Sequence, residues 1–376
     1  MAIDLTFNEE QEMLREMVRG VCAEYASPES VRAMEDDPIG YTPEFWQQLG
    51  DLDLIGLLVP IAYGGSGMSA LEGAVVYEEF GRALAPSPHF VSTALAAAAL
   101  DHAGSVQQAG GLLPQVVSGK LILTTAWLEP ERGFGPKGIA LTATADGDGF
   151  VLNGTKWHVP FAAAAHKLLV LARTGDGDQD IDLFLVDRDA AGVSLEQYKT
   201  IASDTQYAVT FDGVRVAATD RVGEAGSGWA TWSEVMLDGM IYMAAQAVGG
   251  AKYALEITVQ YAKDRVQFDK PLGAFQAISH YLADASTAVD GAEILVHEAA
   301  WARANGKSVE RLAPMAKLFA CNTFRDVTAM AQQVFGGVGF TLEYDIQLYF
   351  RRAKELQISW MDTRSLEDMV AAAILD

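Results

Sequence analysis

Two stretches decide how this chain is read: Tyr261-Ala-Lys-Asp-Arg-Val-Gln-Phe-Asp-Lys-Pro-Leu-Gly-Ala-Phe-Gln276 and Gln332-Gln-Val-Phe-Gly-Gly-Val-Gly-Phe340. The first reads as a helix ending at Arg265, a Lys-Pro-Leu-Gly turn, and a new helix opening near Ala274 with Gln276 in its first turn. Unbonded backbone N–H groups at a helix start favour an anion, and a guanidinium forks onto phosphate oxygens. In the second, Gly336, Gly337 and Gly339 let the backbone come close to a flat or charged ligand. Either one alone is an ordinary turn or an ordinary helix surface. In this order, inside a helical C-terminal third, they read together as a grip on a dinucleotide.

Working outward, residues 1–120 read as helical. Met13, Met17, Val21 and Cys22 recur at helical spacing between Asn8 and Tyr25, Gly50 is expected to close a short helix begun at Pro43, and Ser69–Leu84 and Ala94–Leu100 read as apolar helices. From Leu121 the texture alternates: Ile139–Ala145, Phe150–Leu152, Leu168–Ala172, Ile181–Val186 and Ala208–Phe211 are short runs parted by Gly- and Asp-rich joints. That spacing predicts a β-barrel or sandwich over 121–228. After Gly223–Gly228 the chain is helical again. Ile278, Tyr281, Leu282, Ala285, Val289, Ala292 and Val296 form a single stripe, which predicts a bundle over 229–376. The fold class is therefore α+β: helical N-terminal domain, middle β-barrel or sandwich, C-terminal four-helix bundle.

Composition narrows the function. A net charge of −23 over 376 residues repels nucleic acid. Two cysteines, Cys22 and Cys321, are too few for a disulfide framework, and together with the acidic Glu9, Glu10 and Glu12 they give a cytoplasmic expectation. No run approaches the length of a membrane span. The six histidines show no i, i+4 pair, so no metal site is expected.

The two opening stretches resemble motifs of the acyl-CoA dehydrogenase flavoproteins. That family's Arg–x–x–Phe–Gly–x–Pro with a following Phe–Gln, and its Gln–x–x–Gly–Gly–x–Gly–Phe, grip the ADP half of FAD. The matching positions are Arg265, Phe268, Gln276, Gln333, Gly336 and Gly337, with Asp269 in place of the usual glycine. The resemblance covers essentially the whole chain. It implies an acyl-CoA substrate and a three-domain fold, in which FAD crosses a dimer interface with its ring in one subunit and its ADP half held by the other.

The same resemblance exposes departures. Counting from Arg351, the usual place for the catalytic carboxylate holds Trp360 or, with a one-residue gap, Met361; Asp362 is displaced from it. The alternative place, fixed by Ala244-Ala-Gln-Ala-Val-Gly-Gly250, holds Gly239, with Met240 where an arginine would meet CoA and Asp238 one residue off. In the flavin-ring cradle, Leu128 and Pro160 replace hydroxyl donors and His158 stands where a tryptophan would stack. The loop that would touch CoA reads Gly133-Phe-Gly-Pro136. Leucine and proline side chains donate nothing.

A retained ADP grip beside a depleted ring cradle resembles the heterotetrameric acyl-CoA dehydrogenases of actinobacterial steroid and related side-chain degradation. The expectation is a non-catalytic subunit that completes the FAD site of a catalytic paralogue in a two-plus-two tetramer. Two alternatives stay open: a self-sufficient enzyme using Asp238 or Asp362 as base, and a flavin oxidase or monooxygenase on the same fold.

Overall fold

A computed structural model describes residues 5–375. Single side chains set the helix starts. The Asn8 side chain accepts from the Gln11 backbone N–H at 2.9 Å and the Gln11 side chain accepts from the Asn8 N–H at 3.1 Å, opening the helix Glu9–Tyr25. Ser69 and Glu72 form the same reciprocal cap for the helix Ala70–Ala83. Thr42 caps Pro43–Asp51, but Gly50 does not end that helix. Asp53, at φ 58, supplies the left-handed residue instead, because the buried Leu49 and Leu54 hold the chain helical past the glycine. Ala94–Leu100 falls across a π-helix, Phe90–Ala97, and the α-helix Ala98–Ala103, both largely buried.

Ten strands follow: β1 Leu123–Ala126, β2 Thr142–Asp146, β3 Gly149–Pro160, β4 Lys167–Arg173, β5 Ile181–Asp187, β6 Val193–Tyr198, β7 Gln206–Ala217, β8 Arg221–Val222, β9 Val266–Gln267 and β10 Lys270–Pro271. The first eight form one sheet in the order β6-β7-β3-β2-β4-β5-β8, with β1 added parallel to β4. Its core is built from Ala126, Leu152, Val170, Phe184, Val209 and Phe211. β3 pairs with β7 through two register shifts, and the second, between Lys156 and Val159, turns Trp157 and His158 out of the ladder. β9 and β10 form a separate hairpin.

By packing the chain divides into two units: Met1–Arg32 with Ser69–Ala85 and Met240–Asp376, and Ala33–Met68 with Pro86–Gly239. In the first, the helices Gln276–Ala304, Ile346–Ile358 and Thr363–Leu375 pack on Leu312–Phe335. The expected stripe is buried at Ala285, Val289, Ala292 and Val296, whereas Tyr281, near the helix start, is 54% exposed. Among the described residues no helix is long and apolar enough to cross a membrane.

Candidate functional site

The two opening stretches, distant in sequence, meet in the first unit. Tyr261, four residues before Arg265, stacks on Phe335, the residue before Gly336, with ring centroids 4.2 Å apart and planes at 17°. The helix that carries Tyr261 stops at Asp264, and the Leu272 N–H returns to the Arg265 carbonyl at 2.9 Å. Between them, Phe268 and Asp269 are the two central residues of the β9–β10 hairpin, at φ 54 and φ 62. Two left-handed residues fit the right-handed twist of a hairpin but normally demand Asn or Gly. Phenylalanine there is strained, and its ring is 87% exposed.

Around this turn the cationic and donor groups gather. Arg265 is exposed, and Lys270 Nζ lies 4.1 Å from the centroid of Phe275, whose ring meets Phe268 edge-on at 6.2 Å. Phe275 is the N-cap of the 29-residue helix Gln276–Ala304 and offers no side-chain acceptor, so the first N–H groups of that helix lack a cap. Gln276, Gln333, Gly336 and Gly337 are all exposed. A Cβ built on Gly336 or Gly337 would meet nothing within 4 Å, so the turn has open space beside it. The arrangement suits a phosphate-bearing nucleotide: a fork of donors, a helix start and an aromatic face.

The places where a base is expected have a different character. Trp360 and Met361 are buried, at φ 58 and φ 108, in the turn between the last two helices. Lys317, wholly buried, holds that turn: its ammonium donates to the carbonyls of Met361 at 2.8 Å, Ser359 at 2.9 Å and Leu356 at 3.3 Å. Asp362 follows, and its carboxylate accepts the Ser365 N–H at 2.9 Å. That bond holds it below the ordinary carboxylate range. Asp238 is half-buried in the other unit, on the helix Gly228–Asp264. At Gly239 an added Cβ would stand 2.9 Å from Leu95 Cδ2, so a glutamate there needs Leu95 to move.

In the β unit, Leu128 is half-buried and Pro160 is buried, its carbonyl accepting from Thr124 Oγ1 at 2.5 Å. Their neighbours Glu129 and Lys156 form an internal ion pair of 2.7 Å, with Glu129 also accepting from the N–H groups of Ala140 and Leu141. Burial pulls the Lys156 ammonium down to about 8 against the opposing pull of Glu129. His158 sits at φ 53. Its backbone N–H donates to Tyr198 Oη at 2.8 Å and its Nδ1 lies 2.7 Å from the same oxygen. Either atom of that contact can be the donor, so the phenol and the imidazole set each other's proton position. Desolvation lowers the His158 pKa.

Tyr198, Glu129 and Lys317 are functional-site neighbours that the sequence reading missed. Of the three, Lys317 carried a signal, as a cation inside the otherwise apolar run 312–321.

A helical N-terminal region, a middle sheet and a C-terminal helical region are the part order of a known class of dehydrogenases. Models of the acyl-CoA dehydrogenase N-terminal, middle and C-terminal domains match residues 8–120, 124–214 and 226–360. The chain belongs to the acyl-CoA dehydrogenase family, and its cofactor is FAD. A cyclohex-1-ene-1-carbonyl-CoA dehydrogenase of Geobacter metallireducens is 32% identical over 382 residues, covering 98% of both chains. Among solved structures, butyryl-CoA dehydrogenase of Megasphaera elsdenii superposes with a TM-score of 0.92 at 28% identity and full coverage of both chains. The ChsE4-ChsE5 complex of Mycobacterium tuberculosis superposes with a TM-score of 0.90 at 27% identity, covering 100% of this chain and 99% of that one.

Proposed function

We propose that this chain is the non-catalytic subunit of a two-plus-two FAD-dependent acyl-CoA dehydrogenase, and that it holds the ADP half of a catalytic paralogue's FAD. The observation that carries this reading is the Trp360–Met361 turn. Where the family resemblance expects a proton-abstracting carboxylate, the chain has two buried side chains that cannot take a proton, fixed by Lys317. The similarity to a chain of the ChsE4-ChsE5 complex supports an assembly of two unlike chains.

Bound FAD supplies the hydride acceptor for α,β-dehydrogenation of an acyl thioester. This chain's own residues would do the holding. Arg265 and the uncapped start of Gln276–Ala304 take up pyrophosphate charge, Phe268 offers a stacking face, and Gln276, Gln333, Gly336 and Gly337 complete the cradle. Exposure of every one of these groups in a single protomer fits a cofactor completed by a second chain.

The second reading, a self-sufficient enzyme with Asp238 or Asp362 as base, draws less support. The carboxylate of Asp362 is engaged as a helix cap and its affinity for a proton is lowered, the opposite of what a general base near neutral pH requires. The test is to purify the chain alone and together with a paralogue whose carboxylate is intact. A colourless, inactive homomer with activity restored by the paralogue is the expected result. A yellow homomer that oxidises an acyl-CoA would overturn the assignment.

A further inference from the structure

Beneath the glycine turn lies a side chain that the fold leaves unsatisfied. Gln332 is 5% exposed, and neither its amide nitrogen nor its amide oxygen has a hydrogen-bond partner. A Cβ on Gly339 would stand 2.4 Å from the Gln332 oxygen, so the missing side chain at Gly339 is what leaves room for the amide under the turn. Burying a donor and an acceptor with no partner is costly, and native proteins rarely tolerate it without a water or a ligand to complete the pair. A leucine or methionine would fill this position at no such cost.

We propose that Gln332 reads the base of the nucleotide held by this turn. The inference rests on the nucleotide-handle reading above and adds a residue to it. A carboxamide presents one donor and one acceptor side by side, the complement of an adenine edge, where the exocyclic N–H₂ donates and a ring nitrogen accepts. On the edge that carries N7, hypoxanthine offers two acceptors, O6 and N7, so a carboxamide can pair with only one of them. A Cβ on Gly336 or Gly337 would meet nothing within 4 Å, so the turn that covers Gln332 has open space beside it.

The experiment uses the complex with its catalytic paralogue, stripped of flavin, and measures binding of ADP and of IDP by calorimetry. Thermal stability of the nucleotide-free complex is measured in parallel. The wild type is expected to prefer ADP over IDP by about tenfold. Gln332→Leu should lose that preference and bind ADP about tenfold more weakly, while unfolding at a temperature no lower than the wild type because an unpaired amide has been removed. A wild type that binds ADP but does not distinguish it from IDP, or a Gln332→Leu variant with unchanged ADP affinity, refutes the role of Gln332 and leaves the handle intact. Should Gln332→Leu fold poorly, the wild-type ADP-to-IDP ratio decides by itself. Failure of the wild type to bind ADP, with Arg265→Ala no different, sinks both the handle and this inference.

Discussion

At the scale of single residues, the hairpin tip separates stability from binding. Asp269, at φ 62, occupies a position where glycine carries no steric penalty, and it adds a carboxylate to the same short hairpin segment as Arg265. Asp269→Gly should stabilise the protein by about 0.5–1 kcal/mol, read by urea denaturation, and should tighten flavin retention. Phe268→Gly relieves a similar strain but deletes the exposed ring. It should raise stability in the same assay yet weaken flavin binding in the assembled complex. Equal flavin affinity in both variants would remove Phe268 from the handle. The buried Glu129–Lys156 pair makes the opposite point: Glu129→Ala leaves a buried ammonium without its carboxylate and should cost about 3–5 kcal/mol in the same denaturation experiment.

Between elements, helices of the first unit are tied by a charged cluster. Lys252 donates to Glu78 at 2.6 Å and to Glu293 at 2.5 Å, which joins the helices Ala70–Ala83, Gly228–Asp264 and Gln276–Ala304. Oxygen and nitrogen atoms of Glu78, Glu293 and His297 lie within 4.8 Å of one another, but the Lys252 ammonium already supplies positive charge to both carboxylates. His297 Nε2 stands 3.5 Å from Glu78, at the outer limit of a hydrogen bond. Burial pushes the Glu78 carboxyl up, and its contacts with His297 and Lys252 outweigh that and bring it down to about 2. Its folded value thus lies below its unfolded one. The stability it confers, on the order of 3 kcal/mol, is present above about pH 4.5 and is lost as pH falls toward 2. Unfolding free energy measured from pH 5 to pH 3 should fall more steeply for wild type than for Glu78→Gln.

The elements also show what the sequence could and could not reveal. Leu168–Ala172 and Ile181–Val186 were legible because continuous apolar runs between turn residues are what a buried sheet centre requires. β1 was not, because its four residues are all buried and it adds parallel to β4, so no alternation marks it. β6 escaped because its residues are exposed or half-buried, with Glu196 and Gln197 interrupting the pattern. At the site, Arg265, Phe268 and the glycines could be found because turn chemistry is local. Lys317 could not be placed, since the carbonyls that justify a buried ammonium come from residues about forty positions later.

For the whole molecule, the reading proposed above has the handle and the incomplete base position divide labour between chains. Arg265→Ala, placed only in this chain, should release most flavin from the co-purified complex although the paralogue keeps its own carboxylate. Absorbance per assembly measures it, and full flavin content in that variant would contradict binding in trans. The unmodified complex should carry one flavin per pair of unlike chains. One flavin on every chain would instead favour self-sufficient sites.

If this chain is one of two unlike subunits, the strained aromatic at the hairpin tip has a cost for any copy synthesised in excess. Its ring, 87% exposed, adds apolar surface and backbone strain that an unpaired protomer carries alone, so more of it is open to proteolysis. Cellular abundance of this polypeptide would then track that of its mate, and unequal expression of the two genes would be corrected by turnover.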